Sequence, residues 1–343
     1  MSFIQRSRTW FRTMSRTATV LLAVVALTAA ACGSDSDGGS GGEGGDDLIS
    51  IKVGGQASIT GSVDMIGLEK GFFEEEGLDV ELIRLSSGKE VRDALISGSV
   101  NVGGVAPAPF AAAASSGELL AIATLGLIGD SVAVLAGADS GIETLEDLKG
   151  KKVGSQEGSS SELIFLGKVL PSVGYSADDV TMVNTEEADH PAVLASGQVD
   201  AVIANEPFIS IAEQEGIGYI VTPYTPFDPF PNLVLGQRGY VDDNGEAVQR
   251  YVTAHVKTMQ WMAENTEEAV EIIVADLSAQ GVDLEPDIVA SALGKVNLTP
   301  EFPSDLAEYL SETFQLLAGA GQVEGDEPNW SDMIEPKFLD EAL

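Results

Sequence analysis

From Leu48 onward, short runs of strand-like alternation give way in turn to helical periodicity. Ile49-Ser50-Ile51-Lys52-Val53 places apolar residues at every second position, and Gly54 to Thr60 then reads as a turn. Val63, Ile66 and Leu68 fall near helical spacing and predict a helix over 62–70. A strand is expected over 78–83, a helix over 89–96 and a short strand over 100–104. Pro107 then opens a further helix after Ala106, because proline is favoured at the first helical position. Strand and helix in alternation predict a parallel sheet covered by helices.

The pattern then starts again. An extended segment over 131–135 leads out and another over 232–236 leads back. Between them strands are expected over 152–155, 180–183 and 199–204, with helices over 160–170, 190–195 and 207–215. Helices over 246–264, 266–277, 286–293 and 304–317 have no counterpart in the repeat and are expected to pack back on the first half.

The repetition extends to the letters. Lys52-Val53-Gly54-Gly55-Gln56 returns as Lys152-Val153-Gly154-Ser155-Gln156, and Ser97-Gly98-Ser99-Val100-Asn101 as Ser196-Gly197-Gln198-Val199-Asp200. Two echoes in one order, at offsets of 100 and 99, imply two similar α/β lobes. Clefts between such lobes are where small ligands usually sit. The expected division is 48–135 with 236–343 for the first, discontinuous lobe and 136–235 for the second.

Upstream of the lobes the pattern changes. Arg6, Arg8, Arg12 and Arg16 precede an apolar run from Val20 to Ala31 that is too short to span a bilayer but fits a secretory signal over 1–31. Cys32, the only cysteine, follows directly and resembles the lipidated cysteine of a bacterial lipoprotein box, although Ala29 stands where leucine is usual. Ala29-Ala30-Ala31 also suits ordinary signal peptidase, which would release a soluble secreted or periplasmic protein with a free thiol. Residues 33–47 are Gly, Ser, Asp and Glu alone, so 32–47 reads as a flexible tether. A lone cysteine excludes an intramolecular disulfide.

Charge narrows the partners. The chain carries 18 basic and 54 acidic residues, a net −36; without the leader, 14 basic residues face those 54 acids, a net −40. Such a field repels nucleic acid and anionic membrane surfaces, and reads as a sign of a saline habitat.

Lys70-Gly71-Phe72-Phe73-Glu74-Glu75-Glu76-Gly77-Leu78-Asp79-Val80 resembles the hallmark of bacterial ABC-importer substrate-binding proteins for nitrate, taurine, alkanesulfonates or thiamine-pyrimidine precursors. Ala94-Leu95, Ser97-Gly98, Leu145 to Gly154, Gly158 to Ser161 and Asn205-Glu206-Pro207-Phe208 fit the same pattern, in order, between about Ile49 and Trp261. The resemblance implies a two-lobed periplasmic-binding-protein-like fold of the second class, its lobes joined by two crossover segments. It also implies hinge closure on a small molecule and delivery to an ABC permease with its ATPase. Lipidation of Cys32 would hold the protein at the outer face of the cytoplasmic membrane. A ligand-sensing or surface-interaction lipoprotein of the same fold is the alternative. Family members usually carry an aromatic residue before the acidic-Pro-aromatic triplet; Asn205 here removes a stacking surface.

Ligand contacts are expected at strand C-termini and helix N-termini, where unpaired N–H groups attract anions. In the first lobe these are Gln56, Ala57, Ser58, Thr60, Ser87, Ala106 and Pro107. In the second they are Gln156, Ser159, Ser160, Asn205 and Glu206. The serines serve equally well as helix caps. Glu206 is the residue expected to decide the ligand class: facing the cleft it would repel a sulfonate, while elsewhere it only complements a helix dipole. Lys89, Arg92, Arg238 and the acid pair Glu186-Glu187 read as solvated surface.

No nucleophile elbow, phosphate loop or His-x-x-x-His pair occurs, and the only histidines are His190 and His255. An enzyme is therefore not expected, nor a cofactor or metal; a monomer is the default state.

Overall fold

β1 (Ile49–Gln56) and its later echo occupy the same position in two separate five-stranded sheets. The computed structural model describes residues 48–56, 58–323 and 325–343. The expected leader, the tether with Cys32, and Ala57 lie outside the described residues.

The first run comprises β1, α1 (Ser62–Glu69), α2 (Phe72–Glu75), β2 (Leu78–Leu85), α3 (Gly88–Ile96), β3 (Val102–Val105), α4 (Pro107–Ala112) and β4 (Leu119–Leu127). After a crossing at 128–131 come β5 (Val132–Gly137), β6 (Lys152–Ser155), α5 (Ser160–Ile164), α6 (Leu170–Ser172) and β7 (Thr181–Asn184). They are followed by α7 (His190–Ala195), β8 (Ala201–Asn205), α8 (Phe208–Gln214) and β9 (Gly218–Pro223). A second crossing over 224–230 returns to β10 (Pro231–Gln237), α9 (Arg238–Asp243), α10 (Gly245–Glu264) and α11 (Thr266–Ala279). α12 (Pro286–Gly294), α13 (Leu306–Gly319) and α14 (Lys337–Ala342) end the chain.

The sheet orders are β2-β1-β3-β10-β4 and β7-β6-β8-β5-β9, so the two sheets share one topology. In each, the first three strands are parallel and the fourth, β10 or β5, runs antiparallel. The letter repeat has a physical counterpart. Lys52 N donates to Asn101 Oδ1 and Lys152 N to Asp200 Oδ2, both at 2.8 Å. Asn101 and Asp200 thus fasten the start of the third strand to the first in both sheets.

Helices cover both faces of each sheet. Val53, Val102, Ile122 and Val234 join α1, α10 and α11 in one core, while Val105, Leu119, Leu233 and Leu235 join α3, α4 and α13 in another. Two smaller cores flank the second sheet. α10 packs on α1, α2 and α14, and α14 on β4, whereas α12 also reaches α8 beside the second sheet.

Several features depart from the expected pattern. β4 was not anticipated: eight of its nine residues are buried, so it shows no alternation to read. β9, α2, α9 and α14 are also additional. The helix expected over 160–170 widens to a π turn at Phe165–Val169, where a Cβ on Gly167 would stand 2.7 Å from Leu316 Cδ2 of α13.

Candidate functional site

The C-terminal ends of β1, β3, β6 and β8 converge between the two sheets on a cavity of about 150 Å3. This is the crevice position of open α/β sheets. The turn after β1 contributes Gln56, Ser58, Ile59 and Thr60, the start of α3 contributes Ser87 and Lys89, and the edge of α4 contributes Ala106 and Pro109. From the other side come Gln156, the run Ser159–Ser161, Glu187, Asn205 and Glu206. Ile128, Ser131, Phe230 and Asn232, from the crossings and the start of β10, close the wall between them.

Most expected contacts therefore meet in one place. Pro107 does not; it is buried behind Ala106, and Pro109 lines the cavity instead. Phe230 is the single aromatic lining residue among the described residues.

Ser87 and Ser159 cap helices and line the cavity at once, Ser87 Oγ accepting from Glu90 N at 3.3 Å and Ser159 Oγ from Glu162 N at 3.1 Å. Ser58 Oγ holds the turn before α1, accepting from Gly61 N at 3.1 Å. The turn before α1 is tight enough to require glycine at 61, where a Cβ would stand 2.1 Å from Gln56 O. Beneath the serine run, buried Glu162 accepts from Gly158 N at 3.1 Å and holds the turn; burial pushes its carboxyl above the usual range. Ser160 does something different: its Oγ accepts from Ala108 N of α4 at 2.9 Å, a bond between the two halves. Ser160→Ala leaves that buried N–H without its acceptor and is expected to lower stability by about 1–3 kcal/mol. Urea unfolding measures it; a change below a few tenths of that range would show that the bond carries nothing.

Glu206 is not a free charge. Its carboxylate accepts from Ser210 N at 3.1 Å and Ser210 Oγ at 3.0 Å, and it is paired with the ammonium of Lys295, just past α12. The carboxylate is buried and compensated, so the residue expected to decide the ligand class is satisfied by the protein itself.

Lys89 is exposed, as expected, and also bridges the cleft rim, its Nζ donating to Glu157 O at 2.7 Å from the first half to the second. One surface expectation is overturned. Glu187 is half-buried in the cavity wall, where the Asn205 amide donates to its carboxylate. Ser161 Oγ, 3.2 Å from Asn205 Oδ1, fixes which end of that amide faces Glu187. Burial pushes the Glu187 carboxyl up against the lowering effect of the Asn205 bond, and Glu186 adds to the rise. An acidic pair in sequence carries no sign of this; only the fold of the loop after β7 brings one member inside. Arg238 does stay away from the cleft, donating to Gly117 O at 2.5 Å and Asp332 O at 3.0 Å.

The crossings run side by side. Ile128 N donates to Phe230 O at 3.0 Å and Tyr224 N to Gly129 O at 3.0 Å, joining the two connections into one narrow strap. Buried Asp228 anchors it, accepting from Lys168 Nζ at 2.8 Å, Tyr309 OH at 2.9 Å and Phe230 N at 2.7 Å.

Residues 62–269 match the family described as NMT1/THI5 like. A candidate aliphatic sulfonates-binding protein of Bacillus subtilis (strain 168) is 28% identical over 335 residues, 94% of this chain and 96% of its own. A candidate binding protein of Brucella abortus (strain 2308) is 29% identical over 247 residues, 70% of this chain and 76% of its own. Among solved structures, the alkanesulfonate-binding protein SsuA of Xanthomonas axonopodis pv. citri, bound to MOPS, superposes with a TM-score of 0.74 at 20% identity. That match covers 84% of this chain and 99% of SsuA, and the likeness is one of fold: two α/β lobes of the periplasmic-binding-protein kind.

Proposed function

The chain belongs to the NMT1/THI5-like family, and from that premise we propose that it is the solute-binding component of an ABC import system. It takes a small molecule between its lobes, closes about the paired crossings, and offers the closed form to a permease and its ATPase. One observation carries this reading: the matching ends of the repeated strand, Gln56 and Gln156, line a single cavity with serines from both halves. A ligand touching Ser58 and Thr60 on one side and Ser159 on the other favours the closed arrangement by bridging it. The leader exports the chain, and a lipid on Cys32 holds it at the outer face of the membrane, with 33–47 as the tether. The extent of the likeness to the candidate sulfonates-binding relative, nearly end to end, supports the transport role.

Thermal unfolding in high salt tests this against alkanesulfonates, taurine, nitrate, bicarbonate, aminopyrimidines and other nitrogen heterocycles. At a hundredfold excess over its dissociation constant, a binder adds about 2.7 kcal/mol of stability. A panel without a single shift would overturn the solute-binding reading.

A further inference from the structure

The fixed hydrogen-bonding groups around the cavity are unevenly committed. Hydroxyls donate or accept and so do not discriminate between ligands. Amides, ammonium groups and carboxylates do.

Many of the fixed donors near the cleft have a partner in the protein, the exceptions among the described residues being the Gln56 amide and the remaining N–H groups of exposed Lys89. Gly61 N, Ala108 N and Glu162 N bond to serine oxygens, and Ser210 N to Glu206. The Gln156 amide donates to Glu186 Oε2 at 3.1 Å, and the Lys89 ammonium to the Glu157 carbonyl. Lys295 sits on Glu206, and no arginine lines the cavity among the described residues.

Acceptors, in contrast, are left over. Glu187 receives one donor, the Asn205 amide, and no second among the described residues. Asn232 Oδ1, on the wall contributed by the start of β10, is buried with no hydrogen-bond partner among the described residues. An entering oxyanion meets the Glu187 carboxylate, whereas an entering N–H group meets unfilled acceptors.

Resting on the solute-binding reading above, we propose that Glu187 selects ligand charge, so that the cleft takes a compound with a cationic N–H fork of the amidinium kind and rejects oxyanions. Burial already disfavours the Glu187 charge, and Glu186 adds to that. A cation beside it relieves this penalty, whereas a sulfonate deepens it. The cavity, about 150 Å3, suits a single ring.

Benzamidine and benzenesulfonate, matched in ring and opposite in charge, provide the test by calorimetry on the natural protein and on Glu187→Gln. Benzamidine is expected to bind at least tenfold more tightly than benzenesulfonate to the natural protein. Glu187→Gln is expected to weaken benzamidine tenfold or more, the scale of a lost charge-assisted bond, without weakening benzenesulfonate. Tighter binding of benzenesulfonate, or benzamidine binding indifferent to Glu187→Gln, overturns the inference while leaving solute binding intact. Binding of neither probe overturns it as well, and the solute-binding reading is then decided separately by the wider panel. If Glu187→Gln does not fold, the ratio measured on the natural protein decides alone.

Discussion

Replacing Lys295 by methionine lowers the free energy of unfolding by about 3–5 kcal/mol, the cost of stranding a buried charge. The Glu206 side chain is 1% exposed and Lys295 23%, so water cannot take over the role of the missing ammonium. Ser210 still supplies two bonds, from its N–H and its hydroxyl, but these leave the net charge uncompensated. The companion substitution, Glu206→Gln with Lys295→Met, removes the charge and is expected to recover most of the loss. Urea unfolding at neutral pH distinguishes the two, with an unchanged slope marking a true stability effect. A loss under 1 kcal/mol in the single variant would mean that the pair is far better solvated than its burial implies. The pair also spans the molecule's two halves, since Glu206 directly follows β8 while Lys295 follows α12.

Acidification from pH 7 to pH 4 costs about 3 kcal/mol of stability through His190 alone. This histidine is 1% exposed, and neither ring nitrogen has a hydrogen-bond partner among the described residues. Burial pushes its pKa down to about 4, while the neighbouring Asp189 charge pulls the other way. The sign follows from which state binds the proton first. Between about 6.5 and about 4 the unfolded chain is protonated at this site and the folded one is not. Stability is therefore fully present above about 6.5 and falls as pH drops toward the folded value. The difference in stability between the natural protein and His190→Gln should shrink by that amount over the same interval. A difference that stays constant with pH would show that the ring is not desolvated.

What could be read beforehand was what neighbours in sequence determine. The echo of Lys52 to Gln56 at 152–156 marks the equivalent strands of both sheets, and the pairs Asn101–Lys52 and Asp200–Lys152 show why those letters recur. Caps and turns were legible too, because Ser87 and Ser159 act on N–H groups three residues ahead. The reading failed where the partner is remote. Glu206 finds its counter-charge 89 residues later, and Glu187 owes its place in the cavity wall to Asn205, 18 residues later. Neither distance leaves a local pattern. β4 was hidden for another reason: buried along nearly its whole length, it lacks the alternation by which half-exposed strands are found.

The strand orders have a consequence for how the molecule comes into being. β4 lies at the edge of its sheet, next to β10 and separated by it from β3. As the chain emerges from synthesis or export, Leu119–Leu127 must wait for Pro231–Gln237 before it can take its place, and an apolar segment waits exposed meanwhile. The second sheet needs nothing outside Val132–Pro223. The half that the chain begins second is thus the half that it can finish first.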